Sequence, residues 1–152
     1  MHPSLLRQAA IFADLDDAEL LRIAEICREQ TYQPGQTIFK EGEPGNRLYL
    51  IAEGDVRISR DIPGSGEEAL AVLKAGACFG EMAVFDRSER STDAISNGGC
   101  RLVTISRADL EMVLDLDPEL AGRVLRAMVR LLSRRLRATN DNLRSILAMS
   151  MF

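Results

Sequence analysis

The chain has 152 residues, 46% of them apolar and 28% charged, which suits one globular core and excludes disordered, collagen-like and disulfide-scaffold classes. Lysine and arginine number 19 against 23 acidic residues, a net charge of −4, so the molecule as a whole is no polyanion binder. The charge is unevenly spread. Seven of the basic residues but only Glu119 and Asp141 of the acidic ones fall in residues 118–152, which gives that segment +5 and leaves −9 for the remainder. Cys27, Cys78 and Cys100 stand far apart with no CxxC pair, the pattern of reduced thiols in a cytoplasmic protein rather than of disulfides or a metal site. No apolar run approaches the roughly 20 residues of a membrane span. His2, the one histidine, sits at a terminus, far from any partner for metal or general-base chemistry.

Residues 1–27 read as a helical lead-in. Leu5, Leu6, Ala9 and Phe12 share one face, and Asp16 or Asp17 caps a second helix carrying Leu20, Leu21, Ile23, Ala24 and Cys27. From Glu29 the texture changes to short runs between turn signals, among them Gln33-Pro34-Gly35, Glu53-Gly54-Asp55 and Pro63-Gly64-Ser65-Gly66. Strand-like pieces lie between them at 37–39, 48–52, 56–59, 69–73 and 102–105, so residues 28–106 read as an antiparallel sandwich or barrel. Ser106 then caps a helix bearing Leu110, Val113 and Leu114, and Asp117-Pro118 opens a last helix of some 30 residues. Leu125, Val129, Leu132, Leu136, Thr139, Leu143, Ile146 and Ser150 follow one another along it in alternating steps of four and three, and six of these eight are apolar. That seam fits a two-stranded coiled-coil contact, with Arg123, Arg126, Arg130, Arg134 and Arg137 on flanking faces. Without interleaved aromatics, these arginines read as solvated faces of a coiled coil sooner than as a contact for an acidic partner or a nucleic-acid patch.

One stretch is not ordinary sandwich. Gly80 permits a tight turn, and Glu81 to Phe85 have the composition of a short helical piece whose free N–H groups form an anion cradle. Arg90, nine residues after Glu81 and followed by Ser91 and Thr92, completes such a cradle through charge-assisted hydrogen bonds to phosphate oxygens. An ionised Glu81 can only accept hydrogen bonds, so beside an anion its use is to take a proton from a sugar hydroxyl, such as a ribose 2′-OH.

Gly80-Glu81-Met82-Ala83 followed by Arg90-Ser91-Thr92 resembles the phosphate-binding cassette of the cyclic nucleotide-binding domain family, and 41–56 resembles the strand, turn and strand that precede it there. Residues 133–143 are similar to the long helix of bacterial catabolite activator proteins. The resemblance implies an α+β domain over 1–152: a small antiparallel jelly-roll barrel with its cassette at 79–92, N-terminal helices, and a long C-terminal helix within 107–152. It implies backbone contacts from Gly80 and Ala83, a ribose contact from Glu81 and cyclic phosphate contacts from Arg90 and Ser91. Met82 and Thr92 complete the cassette set, and Thr139 and Asn140 fall where the family's helix meets the base, one in the same subunit and one across a dimer. Thr92 and Asp93 depart from the family's usual residues, and the activators continue beyond this helix into a DNA-reading domain. The expectation is a non-enzymatic sensor of a 3′,5′-cyclic purine nucleotide, cAMP ahead of cGMP, with no metal. It forms a homodimer through the last helix and signals to a separate downstream protein, not to nucleic acid or membrane. A dimeric scaffold whose cassette binds no nucleotide is the alternative.

Overall fold

The computed structural model describes residues 3–150, and His2 lies outside them. Helix α1 (Pro3–Arg7) and a 3-10 turn (Ala10–Phe12) replace one continuous first helix, yet Leu6, Ala9 and Phe12 are buried as their spacing predicts. Helix α2 (Asp17–Glu25) begins at a reciprocal cap, in which Asp16 Oδ1 accepts the Glu19 N–H at 2.8 Å and Glu19 Oε1 accepts the Asp16 N–H at 3.0 Å. Leu21 faces solvent, 55% exposed. Cys27 opens a strand instead of closing the helix, because pairing with the last strand captures the chain from Cys27 onward.

Strands β1 (Cys27–Tyr32), β2 (Thr37–Phe39), β3 (Arg47–Ile62), β4 (Gly66–Leu73), β5 (Cys78–Phe79) and β6 (Asp93–Ser106) make one antiparallel sheet of order β1-β6-β3-β4, with β2 also on β6 and β5 on β3. Its hydrogen-bonded path stays open, from β1 to β4, rather than closing into a barrel. The Glu53-Gly54-Asp55 signal is a bulge, not a turn: β3 runs through it for 16 residues, and its register against β6 shifts on either side of Gly54. Gly54 has φ +82°, and a Cβ there would overlap the Gly99 carbonyl oxygen, so glycine lets the two long strands cross closely where the sheet bends.

Where β3 begins, both sheet faces are buried, whereas β4 at the edge has no buried residue. Along β3, Leu48 and Leu50 join a core with the N-terminal helices, Val103, Ile105 and Leu110, while Tyr49 and Ile51 join a second core with Phe39, Val56, Phe79 and Leu102. The period of two thus divides one apolar run between two cores, and the folded-over sheet encloses the second.

Helix α3 (Glu81–Asp86) interrupts the strands, α4 (Arg107–Leu116) is capped by Ser106 Oγ accepting the Asp109 N–H at 3.1 Å, and α5 (Pro118–Ser150) runs 33 residues. The first half of α5 is docked: Leu120, Val124, Ala127 and Met128 are buried. Arg123 Nη1 pairs with the buried Glu19 carboxylate at 2.6 Å, and Arg130 pairs with Asp14. From Leu132 to Ser150 every residue is exposed. The six apolar seam residues, Leu125, Val129, Leu132, Leu136, Leu143 and Ile146, all face solvent at 37–62% exposure. No helix among the described residues is long and apolar enough to cross a membrane.

Candidate functional site

The site forms where β5 turns into α3. Gly80 takes φ +79°, and a Cβ on it would stand 2.7 Å from Arg90 Nη1 and 3.2 Å from the Arg47 carbonyl oxygen, so both conformation and space require glycine. The short helix that follows buries Glu81, Ala83 and Val84 and leaves Met82 half exposed. It ends at Arg87, which has φ +59° and is the one non-glycine with positive φ among the described residues. The returning loop is fixed by its backbone: the Arg90 N–H donates to the Glu43 carbonyl at 2.8 Å, and the Gly42 N–H donates to the Arg90 carbonyl at 2.9 Å. Gly45 is buried against Ala83, closing this loop onto α3.

Arg90 is 5% exposed. Its Nη1 donates to the Gly80 carbonyl at 3.0 Å and its Nη2 to the Arg47 carbonyl at 2.5 Å, and the guanidinium lies 4.2 Å from the Phe39 ring centroid. Nε has no partner, and no carboxylate among the described residues forms an ion pair with it. Burial lowers its pKa from the ordinary arginine value, although an arginine stays charged under any physiological condition. A buried cation with no counter-ion is costly unless an anion completes it.

Glu81, 2% exposed, meets the opposite need. Its Oε1 is ion-paired with Arg135, which reaches in from α5, while Oε2 is buried with no hydrogen-bond partner. That oxygen asks for a donor. The simple surface salt bridge between Glu81 and Arg90 is not formed, because Arg135 takes the carboxylate and backbone carbonyls take the guanidinium.

A cleft of about 500 Å³ joins the two groups, with Phe39, Ile58, Leu73 and Phe79 giving it apolar walls. Gly80, Glu81, Met82, Ala83, Arg90, Ser91 and Thr92 all line it. Asp93 does not, since its Oδ1 accepts the Glu41 N–H at 2.7 Å. Thr139 and Asn140 are exposed on α5 outside the lining, with Thr139 Oγ1 donating to the Arg135 carbonyl at 2.9 Å. Arg135 and Phe39 line the cleft without having been singled out in the sequence, and Cys78, read there as a reduced thiol, lines it too. Burial, and next the Glu81 charge, push the Cys78 thiol pKa up, so it is a neutral wall group. No group of three or more His, Cys, Asp or Glu among the described residues could hold a metal ion.

The sequence profile of the cyclic nucleotide-binding domain matches residues 29–117. The chain belongs to the cyclic nucleotide-binding domain family. A CRP-like cAMP-activated global transcriptional regulator of Mycobacterium tuberculosis is 33% identical over 143 residues, 94% of this chain and 62% of that protein. The chain therefore spans about three fifths of the curated relative's length. The N-terminal domain of a transcriptional regulator from Streptomyces coelicolor superposes with TM-score 0.78 and 36% identity, covering 91% of this chain and 94% of that one. The regulatory domain of Toxoplasma gondii PKA, crystallised with cAMP, superposes with TM-score 0.68 and 26% identity over 73% of this chain and 42% of that one.

Proposed function

We propose that this cyclic nucleotide-binding domain senses a 3′,5′-cyclic purine nucleotide, cAMP in preference to cGMP, and passes the signal through α5 to a separate protein partner in the cytoplasm. The carrying observation is the pair of complementary deficits in one cleft: a buried Arg90 without an anion and a buried Glu81 Oε2 without a donor. A cyclic phosphate answers the first and the adjoining ribose 2′-OH answers the second. Ser91 and the backbone at Gly80 and Ala83 complete the phosphate contacts, with Met82 and Thr92 beside them.

Helix α5 enters through Arg135. A ribose on Glu81 changes the partners of the carboxylate that Arg135 holds, so nucleotide has different contacts in different helix positions, the condition for any shift between them. The reading assigns to Thr139, one turn beyond Arg135, and to Asn140 the contacts with the base, one from the same subunit and one across a homodimer built on the exposed seam. The preference for cAMP is supported by the likeness to a regulator described as cAMP-activated.

The test is isothermal titration of refolded, nucleotide-stripped protein with cAMP, cGMP and 2′-deoxy-cAMP. Binding of cAMP that weakens about 10- to 100-fold without the 2′-OH supports the reading, since a hydrogen bond to a charged group is worth about 1.5–3 kcal/mol. The second reading, a dimeric scaffold, is favoured by the same exposed seam. An intact dimer that gives no heat with any of the three nucleotides selects it.

A further inference from the structure

Most cations on the sheet are matched: Arg57 with Glu67, Arg101 with Glu29 and Glu53, Lys74 with Asp55, and Arg60 with Glu41. The hollow between the start of β3 and α4 is different. It encloses about 320 Å³, and Arg47, Arg87 and Arg107 line it with Glu111 as their one acidic companion. Arg87 Nη2 donates to Glu111 Oε1 at 2.9 Å, while neither Arg47 nor Arg107 has an ion pair with any described carboxylate. The fold itself gathers them: Arg47 lies opposite Ser106 in the β3–β6 register, and the Arg107 N–H donates to the Asn46 carbonyl at 2.8 Å. The result is a local charge of about +2 on a body that carries −9 outside α5.

We propose that this hollow is a docking face for an acidic segment of a protein partner, coupled to the nucleotide cleft. It rests on the sensor reading only for its dependence on nucleotide. Guanidinium forks suit carboxylates, and two of the three here are unmatched. Glu111 inside the hollow and the acidic body around it repel the continuous charge of a nucleic-acid backbone, whereas a short Asp/Glu run engages the local cluster alone.

The coupling is built from shared residues. The Arg47 carbonyl receives Nη2 of Arg90, and Arg87 ends the helix that Gly80 begins. An anion drawing Arg90 into the cleft and a carboxylate drawing Arg47 or Arg87 outward therefore act on the same backbone, and any effect of nucleotide on the partner is returned by the partner on nucleotide.

The experiment is fluorescence anisotropy of a labelled Glu-Asp-Glu-Asp-Glu peptide on the full chain, at low and high salt, with and without cAMP, beside isothermal titration of cAMP on the same proteins. The peptide is expected to bind, to weaken with salt, and to change affinity about twofold or more when cAMP is present. Arg107→Glu is expected to weaken it several-fold, and Arg47→Glu with Arg107→Glu at least about tenfold, with circular dichroism and urea unfolding reporting that the variants are folded. Equal peptide affinity in the folded double variant overturns the docking face, as does loss only in Arg126→Glu with Arg137→Glu on α5, or equal displacement by oligothymidine. Absence of cAMP heat alongside salt-dependent, Arg107-dependent peptide binding sinks the sensor reading and leaves the docking face standing. Normal cAMP heat without peptide binding does the reverse.

Discussion

Arg90→Met separates what this residue does for the fold from what it does for a ligand. The native guanidinium makes two hydrogen bonds to backbone carbonyls and a stacking contact over Phe39, worth about 1.5–3 kcal/mol for each charged hydrogen bond and about 0.5–2 kcal/mol for the ring. Against this stands the burial of a cation that has no direct ion pair and only the more distant charges of Glu43 and Glu81 in its favour, which costs several kcal/mol. Methionine keeps the apolar stem packed on Phe39, and of the two freed carbonyls one belongs to Gly80, which lines the cleft, and the other to Arg47, which lines the hollow beside α4, so water from either opening replaces the lost donors. The net change in stability without ligand is therefore expected within about 2 kcal/mol of zero. Nucleotide binding follows a different sum, because removing one member of a desolvated charge pair costs about 2–5 kcal/mol, or roughly 30- to 5,000-fold in Kd. Urea unfolding with and without cAMP reads both terms. At ligand one hundred times the native Kd the native chain gains about 2.7 kcal/mol and the variant less than about 1 kcal/mol. A variant that loses more than about 3 kcal/mol without ligand, or one that binds cAMP within threefold of the native chain, refutes the separation and makes Arg90 a clasp for the loop.

Gly45→Ala places a Cβ against that of Ala83 and 2.9 Å from the Ser88 carbonyl oxygen, so it is expected to cost about 1–3 kcal/mol by overpacking in urea unfolding and to weaken nucleotide binding by displacing α3. Leu132→Lys with Leu136→Lys is expected to turn a dimer into monomers in sedimentation, since both side chains sit on the exposed seam; an unaltered dimer excludes α5 as the main interface. The thiols predict a pH profile. Burial raises Cys27 to about 12 and pushes Cys78 up as well, so their thiolate fraction grows about tenfold per pH unit through pH 8 to 10. Their alkylation by iodoacetamide in the folded protein is expected to climb over that range, where an ordinary thiol levels off above about 8.5. A plateau near pH 8.5 at either residue contradicts the burial.

The cassette was legible because its chemistry is local: the turn that needs glycine, the buried acid and the buried arginine lie within eleven residues, Gly80 to Arg90. The helix caps at Asp16 and Ser106 were legible for the same reason. What escaped depends on contacts between distant segments. Gly54 reads as a turn in sequence and becomes a bulge because Gly99, 45 residues later, lies against it. Arg135 looks like one of seven arginines on a solvated helix until the docking of α5 brings it to Glu81. Its place four residues before Thr139, on the same helical face, was the available signal. Gly45 stood within the quoted strand-turn-strand motif, but only the approach of Ala83 gives it a reason.

The uneven anchoring of α5 has a mechanical consequence. Ion pairs at Arg123, Arg130 and Arg135 pin the helix at intervals to about its midpoint, and residues 136–150 continue as an exposed rod roughly 22 Å long at 1.5 Å per residue. Such a rod is a lever with its fulcrum at the nucleotide cleft. A tilt of about 10° at Arg135 sweeps its far end through some 4 Å, comparable to the rise between successive helical turns. In the proposed sensor, a change of a few tenths of an ångström around Glu81 would be converted into a displacement large enough to make or break side-chain contacts at the other end.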